Sequence, residues 1–412
     1  MKTFTGWEYL LIDAANQYGW DKKIFEVRIQ WVLSHLHELE AITNKADNKP
    51  LYAKAVMAIR KAQQGIATGH MVGFDAVCSG IQVMSALTGC ISGARATGLV
   101  DPDVRADAYT QVTDEMRTIL GTHFTVSRDD AKQALMTSFY GSKKEPINIF
   151  GEDTPELNAF YQAAQTTAPG AWELLQDLLA SWKPMALSHE WILPDGFDAR
   201  VKVMERTEAR IEVDELDHAT FTYQFYENKG KMKGLSNVAN VVHSVDAYVL
   251  RCIHRRCNYD RDVVEDAALV LEMALIARSM GEQQAPFVAS EDFAYYCDQY
   301  DRSGMADVVM LPYLNDINVS CLSTEHLQAL ATIVNGMLEY TPFEVVAIHD
   351  EFKCHPNNMN HLRQQYINVL AELSESKVLD DILGQLHGGT GTFNKLSTNL
   401  GAHIRGSNYA LC

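Results

Sequence analysis

Two cations and a tyrosine recur at helical spacing in the segment RDDAKQALMTSFYGSK, which follows Ser127. The residues that stand four apart are Arg128, Lys132, Met136 and Tyr140. A helix would hold them within an arc of about 120°, with Lys132 and Tyr140 about 12 Å apart along the axis. Ser127 suits the N-cap and Gly141 the helix end. Such a face could hold a nucleoside triphosphate by its phosphates, with the phenol near the sugar and base. Spacing alone is also that of an amphipathic helix with Met and Tyr toward a core, and it favours this simpler interpretation.

Two aspartates stand where apolar runs end. Asp75 follows a short strand predicted near Met71 to Phe74, and Asp350 follows the run Phe343 to Ile348, which we expect to form a buried strand. Phosphoryl transfer by two metal ions needs carboxylates that meet in space while leaving positions for phosphates and water. Aspartate is also common in turns, and each residue alone is more simply a turn residue.

The elements that must position these residues can be predicted from the hydrophobic pattern. Residues 7–63 are mostly helical in pattern, and a further helix is predicted over 103–120. Alternating apolar residues from Arg200 to Tyr226 predict a long hairpin with its tip near Asp214 to Asp217. The apolar run 267–277 is interrupted by a glutamate and predicts a core helix rather than a membrane span.

Composition limits the function classes. The chain has 412 residues, 47% of them apolar, and a formal net charge of −18. This acidity argues against a protein that coats DNA, since phosphate contacts need Lys and Arg. It allows an enzyme that confines cations to a cleft, and two local cation clusters lie at 229–233 and 251–256. No stretch predicts a membrane helix or a signal peptide.

Three motifs follow one another along the chain. Asp75-Ala76-Val77-Cys78-Ser79-Gly80-Ile81-Gln82 comes first, then Arg128-x3-Lys132-x7-Tyr140-Gly141-Ser142, then His349-Asp350. This series resembles motifs A, B and C of the single-subunit RNA polymerases of phages and mitochondria. Further matches are Tyr109, Trp191-x2-Pro194-Asp195-Gly196-Phe197, His243-Ser244 and the apolar tail Asn408 to Cys412. The resemblance covers nearly the whole chain and is weakest between His254 and Tyr340.

The resemblance implies a role for each matched residue. Asp75 and Asp350, with the carbonyl of Ala76, would hold two Mg²⁺ ions. Arg128 and Lys132 would bind the incoming triphosphate. The remaining implied contacts are Tyr140 at the ribose, His243 on the minor-groove side, Tyr109 against the substrate and His349 at the primer end. The partners would be a DNA template, ribonucleoside triphosphates and the RNA product.

The resemblance also implies an architecture. The fold would be α+β, mostly helical, and shaped as a right hand with an antiparallel palm sheet and helical fingers. Residues 1–91 would form the first part of the palm and 92–242 the fingers, including the hairpin at about 200–226. Residues 243–405 would complete the palm around an insertion at about 254–340, and 406–412 would form a tail near the active site.

Some parts of the family pattern have no counterpart here. The thumb, the N-terminal domain and an Asp-x-x-Gly-Arg segment are not found in these 412 residues. We therefore expect a second polymerase subunit to carry them, as in phage polymerases divided into two polypeptides. The expected location is the cytoplasm of an infected bacterial host, without membrane attachment.

The predicted hairpin has a charge that bears on promoter recognition. Its segment 205–217 carries six acidic residues against Arg206 and Arg210. Reading base edges favours Arg, Lys, Asn or Gln, so this tip should be repelled by duplex DNA. We expect an accessory factor to recruit the enzyme to melted or single-stranded DNA, although the flanking cations could instead do the reading.

The sequence leaves two other functions open. Family A DNA polymerases share the Arg-x3-Lys-x7-Tyr-Gly and His-Asp-Glu patterns, but they carry a glutamate shortly after the first aspartate, where this chain has Gly80-Ile81-Gln82. A non-catalytic subunit could also retain a polymerase fold, because fold alone does not establish activity.

Overall fold

The computed structural model describes residues 1–121, 125–281, 290–389 and 392–412. Within them the protein is mostly helical with small antiparallel sheets, which confirms the predicted α+β class. The helices are α1 Gly6–Ala15, α2 Phe25–Ser34, α3 Lys49–Gln63, α4 Ser79–Thr88, α5 Ile91–Ala96, α6 Ala108–Leu120, α7 Arg128–Ser138, α8 Lys144–Phe150, α9 Pro155–Thr167, α10 Pro169–Ala180, α11 Ser236–Cys257, α12 Arg261–Ser279, α13 Glu291–Ser303, α14 Thr324–Leu338, α15 Met359–Glu375, α16 Val378–His387 and α17 Leu400–Arg405. None of these described helices is both long and apolar enough to span a bilayer.

The strands form three separate sheets. Their bounds are β1 Val72–Asp75, β2 Ser188–Ile192, β3 Asp198–Lys202, β4 Met204–Val213, β5 Ala219–Asn228, β6 Val346–Ile348 and β7 Glu351–Cys354. One sheet has the order β1-β7-β6, and the others are the hairpins β2-β3 and β4-β5. The strand predicted before Asp75 is thereby confirmed.

The three-stranded sheet joins two distant parts of the chain. Asp75 stands opposite Glu351 in the pairing of β1 with β7, and Ile348 stands opposite Glu351 in the pairing of β6 with β7. The prediction of a buried strand over 343–348 was wrong in part: only the three residues Val346–Ile348 are strand, and the first and last of them are exposed. The reason is that β6 is an edge strand, and apolar composition does not distinguish an edge from a centre.

The main core lies among α4, α11 and α15, which pack against one another. Every residue of α4 is buried, as expected of a helix surrounded by protein. The buried Arg363 of α15 donates to the carbonyl of Asn408 at 2.7 Å and to the hydroxyl of Tyr9 at 2.8 Å. Its guanidinium also lies 4.8 Å from the ring centre of Phe25. This arginine ties the C-terminal tail to the N-terminal helices.

The region between α11 and β6 has a hydrophobic core of its own. Buried side chains of α12, α13 and α14, among them Leu271, Phe293 and Leu330, pack together apart from the main core. The prediction of a core helix over 267–277 holds for one face of α12 only. Leu269 and Met273 are each 60% exposed, because α12 packs on α14 with one side and meets solvent with the other.

Two predicted helices differ from the structure at their ends. The helix predicted over 103–120 begins at Ala108, where Asp107 caps it by accepting hydrogen bonds from the backbone of Tyr109 and Thr110. Ser127 caps α7 as predicted, accepting from the backbone N–H of Asp130 at 3.1 Å. The regular helix then ends at Ser138, so Tyr140 lies in the turn that follows. A left-handed turn at Gly141, with a φ of 89°, completes this change of direction.

The long hairpin is shorter than predicted. It comprises β4 and β5 and begins at Met204, because β3 pairs with β2 instead of extending β4. A 3₁₀ turn over Asp214–Leu216 and left-handed residues at Asp217 and His218 form the tip, in the predicted place. The alternation over 200–226 therefore belongs to two hairpins, which the pattern of apolar residues alone does not separate.

Candidate active site

Asp75 and Asp350 are brought together by backbone hydrogen bonding rather than by their side chains. The N–H of Ala76 donates to the carbonyl of Asp350 at 3.1 Å, next to the pairing of Asp75 with Glu351. His349 adopts a φ of 57° in the two-residue turn between β6 and β7. Three carboxylates, those of Asp75, Asp350 and Glu351, therefore gather at one end of the sheet.

This crowding has an electrostatic cost. Burial, followed by the charges of Asp350 and Glu351, raises the pKa of Asp75 to about 6. Glu351 has a salt bridge to Lys353 at 3.1 Å. In the described ranges neither Asp75 nor Asp350 has a salt bridge to Lys or Arg. Uncompensated carboxylates beside a backbone carbonyl form a hard oxygen donor set of the kind that Mg²⁺ binds, so these residues fit that ion.

The C-terminal tail forms backbone hydrogen bonds with the segment that contains Asp75. The N–H of Cys412 donates to the carbonyl of Asp75 at 3.1 Å, and Leu411 forms a β-bridge with Ala76. The buried amide of Gln82 donates to the carbonyl of Ala410 at 2.9 Å. The last residues of the chain thus act as an added strand segment that fixes the backbone around Asp75.

Arg128 and Lys132 line the same cleft as the carboxylates. Arg128 donates to one carboxylate oxygen of Asp107 through Nε at 3.0 Å and Nη2 at 2.7 Å. Lys132 is exposed and makes no salt bridge to any described residue. The ring of Tyr109 lies beneath both, 5.4 Å from the Arg128 guanidinium carbon and 5.7 Å from the Lys132 ammonium. Asp107 and Tyr109 therefore hold the two cations at the cleft.

Tyr140 is held between α4 and α11. A Cβ placed on Gly80 would lie 2.6 Å from the Tyr140 hydroxyl oxygen, so the phenol packs directly on the glycine backbone. The Tyr140 ring is 4.7 Å from the ring of His243, measured between ring centres. Burial raises the pKa of Tyr140, and its hydroxyl therefore keeps its proton and can donate a hydrogen bond.

One cleft of about 700 Å³ connects these groups. The residues predicted from the sequence that line it are Asp75, Ala76, Tyr109, Arg128, Lys132, Tyr140, His349 and Asp350. His243 is outside this lining but contacts Tyr140, so the structure brings the whole predicted set together. Lys22 and Arg105 also line the cleft, and their charges lower the pKa of Asp75 in opposition to its burial.

Some contributing residues were missed from the sequence. Lys22 and Arg105 lie outside the described α-helices and strands, and no local pattern marks them as cleft residues. Asp107 was taken as part of a helix, although an aspartate ahead of an apolar periodic segment is an N-cap signal. Asp246 stands three residues after His243, which places both on one helix face. That spacing could have indicated that Asp246 lies near the site.

Two other charged groups lie elsewhere. The arginine cluster at 251–256 is occupied by ion pairs: Arg251 and Arg255 bind Asp195, Arg255 also binds Asp307, and Arg256 binds Glu372. This cluster fastens α11 to the β2-β3 hairpin, the inserted helical region and α15. At the tip of the β4-β5 hairpin, His218 lies 2.8 Å from Glu212 and 3.3 Å from Asp214. These three side chains are exposed and stand apart from the cleft lining.

Two comparisons with known proteins indicate what this chain is similar to. The family model for DNA-dependent RNA polymerase matches residues 3–148, a span that includes Asp75, Arg128, Lys132 and Tyr140. The DNA-directed RNA polymerase of Pseudomonas phage phiKMV is 25% identical over 303 residues, which cover 59% of this chain and 37% of the phage protein. Residues 3–148 are therefore similar to the DNA-dependent RNA polymerase family. The chain spans just over a third of the length of that curated relative.

The polymerase family match and the cleft support different residues. Motifs A and B lie within the matched span, whereas His243, His349 and Asp350 lie beyond residue 148. For these three, the support comes from the geometry: Asp350 adjoins Asp75 through the sheet, and His243 contacts Tyr140.

Proposed function

We propose that this chain carries out DNA-templated synthesis of RNA from ribonucleoside triphosphates. The observation that carries the proposal is one cleft lined both by Asp75 and Asp350, which have no salt bridge to a described residue, and by the cations Arg128 and Lys132. Nucleotidyl transfer needs both kinds of group in one cleft, because carboxylates hold the metal ions and cations hold the phosphates.

The carboxylates and the cations have different parts in the reaction. Asp75, Asp350 and the carbonyl of Ala76 would hold two Mg²⁺ ions, and bound ions of this kind would supply activation of a hydroxyl and stabilisation of phosphate charge. Arg128 and Lys132 bind and orient the triphosphate, and the Tyr109 ring beneath them limits where the cations can move.

The sugar and primer sides complete the assignment. Tyr140, with His243 against its ring, is placed to sense the ribose hydroxyl because its own hydroxyl stays protonated. His349 lies in the turn beside Asp350 and would contact the primer end. The β1-β7-β6 sheet would be the palm, formed by residues 1–91 and 243–405, and residues 92–242 would be the fingers.

The direct test is primed, templated extension by the chain assembled with the proposed partner subunit, with ribonucleotides and deoxyribonucleotides, each with and without Mg²⁺. We expect incorporation of ribonucleotides only when both template and Mg²⁺ are present. Preferred incorporation of deoxyribonucleotides would instead indicate a DNA polymerase. Template binding without incorporation of either sugar would indicate a non-catalytic subunit.

A second polypeptide is part of the proposal. The family segment Asp-x-x-Gly-Arg and a thumb have no counterpart in these 412 residues, and the phage relative is considerably longer than the part that matches. We place these segments on a partner subunit, with the assembled enzyme acting in the cytoplasm of an infected bacterial host.

The β4-β5 hairpin supports the proposed accessory factor. Its register places Ile211 opposite Phe221 and Ala209 opposite Tyr223, so these residues share one face. Phe221 is 51% exposed and Tyr223 43% exposed. Single-stranded nucleic acid binds aromatic side chains together with nearby cations. The two arginines of β4 lie on the opposite face, so this aromatic face is better suited to a protein.

A further inference from the structure

Asp246 is a charged residue beside the cleft, bonded to the cleft residue Ser79 but not itself part of the lining, and the motifs assign it no role. It lies on α11 one turn after His243, and it accepts a hydrogen bond from the hydroxyl of Ser79 at 3.4 Å. It forms no salt bridge with any residue that the structure describes. Burial, then the charge of Asp350, raises its pKa to about 6. A partly buried carboxylate without a cation destabilises the folded protein. We therefore expect Asp246 to have a role among the groups that it contacts.

The hydrogen bond joins two elements at a sensitive point. Ser79 is the first residue of α4, and Gly80, which follows it, is the residue on which the Tyr140 hydroxyl packs. A movement of the first turn of α4 would therefore change the space around that hydroxyl. Asp246 sits at the end of this connection, from α11 through Ser79 and Gly80 to Tyr140.

The same helix controls the other side of the phenol. His243 contacts the Tyr140 ring from α11, while Asp246 fixes the start of α4 to that helix. Carboxylate charge near the first turn of a helix is also favourable, because free N–H groups point outward there. The Tyr140 side chain is thus set between two groups whose relative position depends on Asp246.

We propose that Asp246 is a positioning residue for sugar selection, which fixes the first turn of α4 against α11 so that Tyr140 and His243 meet the ribose at a defined distance. This inference rests on the proposed function and adds to it a residue that does not itself touch the nucleotide. It predicts an effect on the choice between sugars that exceeds the effect on the rate with the preferred sugar.

The test measures kcat/KM for ATP and dATP in templated extension by the assembled polymerase. Asp246→Ala should lower the ratio of the two values by about tenfold, mainly by improving relative use of dATP. Asp246→Asn keeps an acceptor oxygen and should lose about threefold or less. Ser79→Ala should match Asp246→Ala, and the double variant should lose no more than either alone, because the two residues act as one unit.

Asn240→Ala is the matched control on the same helix, since its side chain donates to the carbonyl of Ser236 at 2.7 Å and has no other hydrogen bond to the part of the chain that the structure describes. It should leave the ratio unchanged. An unchanged ratio in Asp246→Ala, or an equal loss with both nucleotides, would overturn the inference while leaving the proposed function standing. If Asp246→Ala does not fold, an unchanged ratio in Asp246→Asn together with Ser79→Ala would do the same. Absence of templated incorporation by the unaltered enzyme would overturn the proposed function and this inference with it.

Discussion

Asp75 and Asp350 owe their proximity to main-chain hydrogen bonds, and their side chains are free for chemistry. Ala76 donates to the Asp350 carbonyl and Cys412 to the Asp75 carbonyl, and neither bond involves a carboxylate. We therefore expect Asp75→Asn and Asp350→Asn to fold normally. Each should reduce nucleotide addition by roughly 10³-fold, because each removes charge from the proposed metal site.

Stability supplies the control for that prediction. Removing one of two crowded carboxylates relieves repulsion, so the melting temperature of each Asn variant should be equal to or above that of the unaltered protein. Near-normal extension by a folded variant would contradict the assignment. A large fall in melting temperature would show that the lost activity reflects unfolding.

Tyr140→Phe tests the sugar side at the same scale. Only the hydroxyl is lost, and the ring contact with His243 and the packing on Gly80 remain possible. RNA extension should continue at a similar rate, while the ratio of kcat/KM for ribo- and deoxynucleotides should fall by about tenfold or more. Tyr52→Phe removes a hydroxyl that lies outside the cleft lining and donates to the carbonyl of Leu39 at 3.1 Å, and as a control it should leave the ratio unchanged. The same ratio in Tyr140→Phe as in the unaltered enzyme would argue against a role for the hydroxyl.

The sequence could predict which residue types meet in the cleft, but not what holds them there. Asp75, Arg128 and Lys132 were identifiable because their chemistry and order are characteristic. The pairing of Arg128 with Asp107 and the hydrogen bond from Ser79 to Asp246 could not be predicted. Each depends on how separate helices pack, and short-range patterns carry no information on that packing.

At the scale of elements, the differences have common physical causes. Helix α7 ends at Ser138 although its spacing continues to Tyr140, because the chain must turn to bring the phenol onto Gly80. The face of α12 that carries Leu269 and Met273 is exposed, since hydrophobic composition shows that a face is apolar and not whether it is covered. Element type was therefore predictable, while boundaries and burial were set by tertiary contacts.

The inserted helices contain a histidine that should make them sensitive to acid. His326 of α14 is buried and stacks on Tyr300 of α13 with ring centres 3.7 Å apart. Burial lowers its pKa to about 3 from an ordinary value near 6.5. Below about pH 6.5 the unfolded chain takes up a proton that the folded chain does not. The free energy of unfolding therefore decreases as the pH is lowered.

We expect this region to lose roughly 2 kcal/mol between pH 7.5 and pH 5, a loss measurable by hydrogen exchange of the α12 and α14 amides. His326→Phe should remove most of that loss. His37→Phe is the matched control, because His37 is 77% exposed and should not contribute. The same decline in His326→Phe as in the unaltered protein would show that another group causes it.

The β4-β5 hairpin carries the prediction on promoter recognition. Its tip is acidic, and Arg210 is engaged with Thr220 on the neighbouring strand at 2.8 Å. The catalytic complex alone should therefore give no sequence-specific footprint on a duplex promoter, and it should bind a melted one. A strong duplex footprint that disappears when Arg206 and Arg210 are changed to Ala would contradict this prediction. The same double variant should not impair extension on a primed template.

At the scale of the whole molecule, charge is distributed unevenly. The chain has a net charge of −18, yet Lys22, Arg105, Arg128 and Lys132 all line one cleft. The same lining carries the acids Asp21, Asp75, Asp107, Asp350 and Glu351, so the cleft is mixed in charge. We therefore expect the cations to hold phosphates only together with metal ions bound by the carboxylates, which would let an acidic protein act on nucleotides.

The same view leads to a prediction about assembly. The groups proposed to bind a nucleotide lie within this chain, whereas our proposal places the thumb and the Asp-x-x-Gly-Arg segment, which would grip template and primer, on a partner subunit. The isolated 412-residue chain should therefore bind ATP with Mg²⁺ in an equilibrium titration, and Lys132→Ala should weaken that binding by about tenfold. It should nevertheless extend a primer feebly until a polypeptide carrying the absent segments is added. Processive extension by the isolated chain would refute the need for a partner, and absence of ATP binding would show that the cleft itself is incomplete.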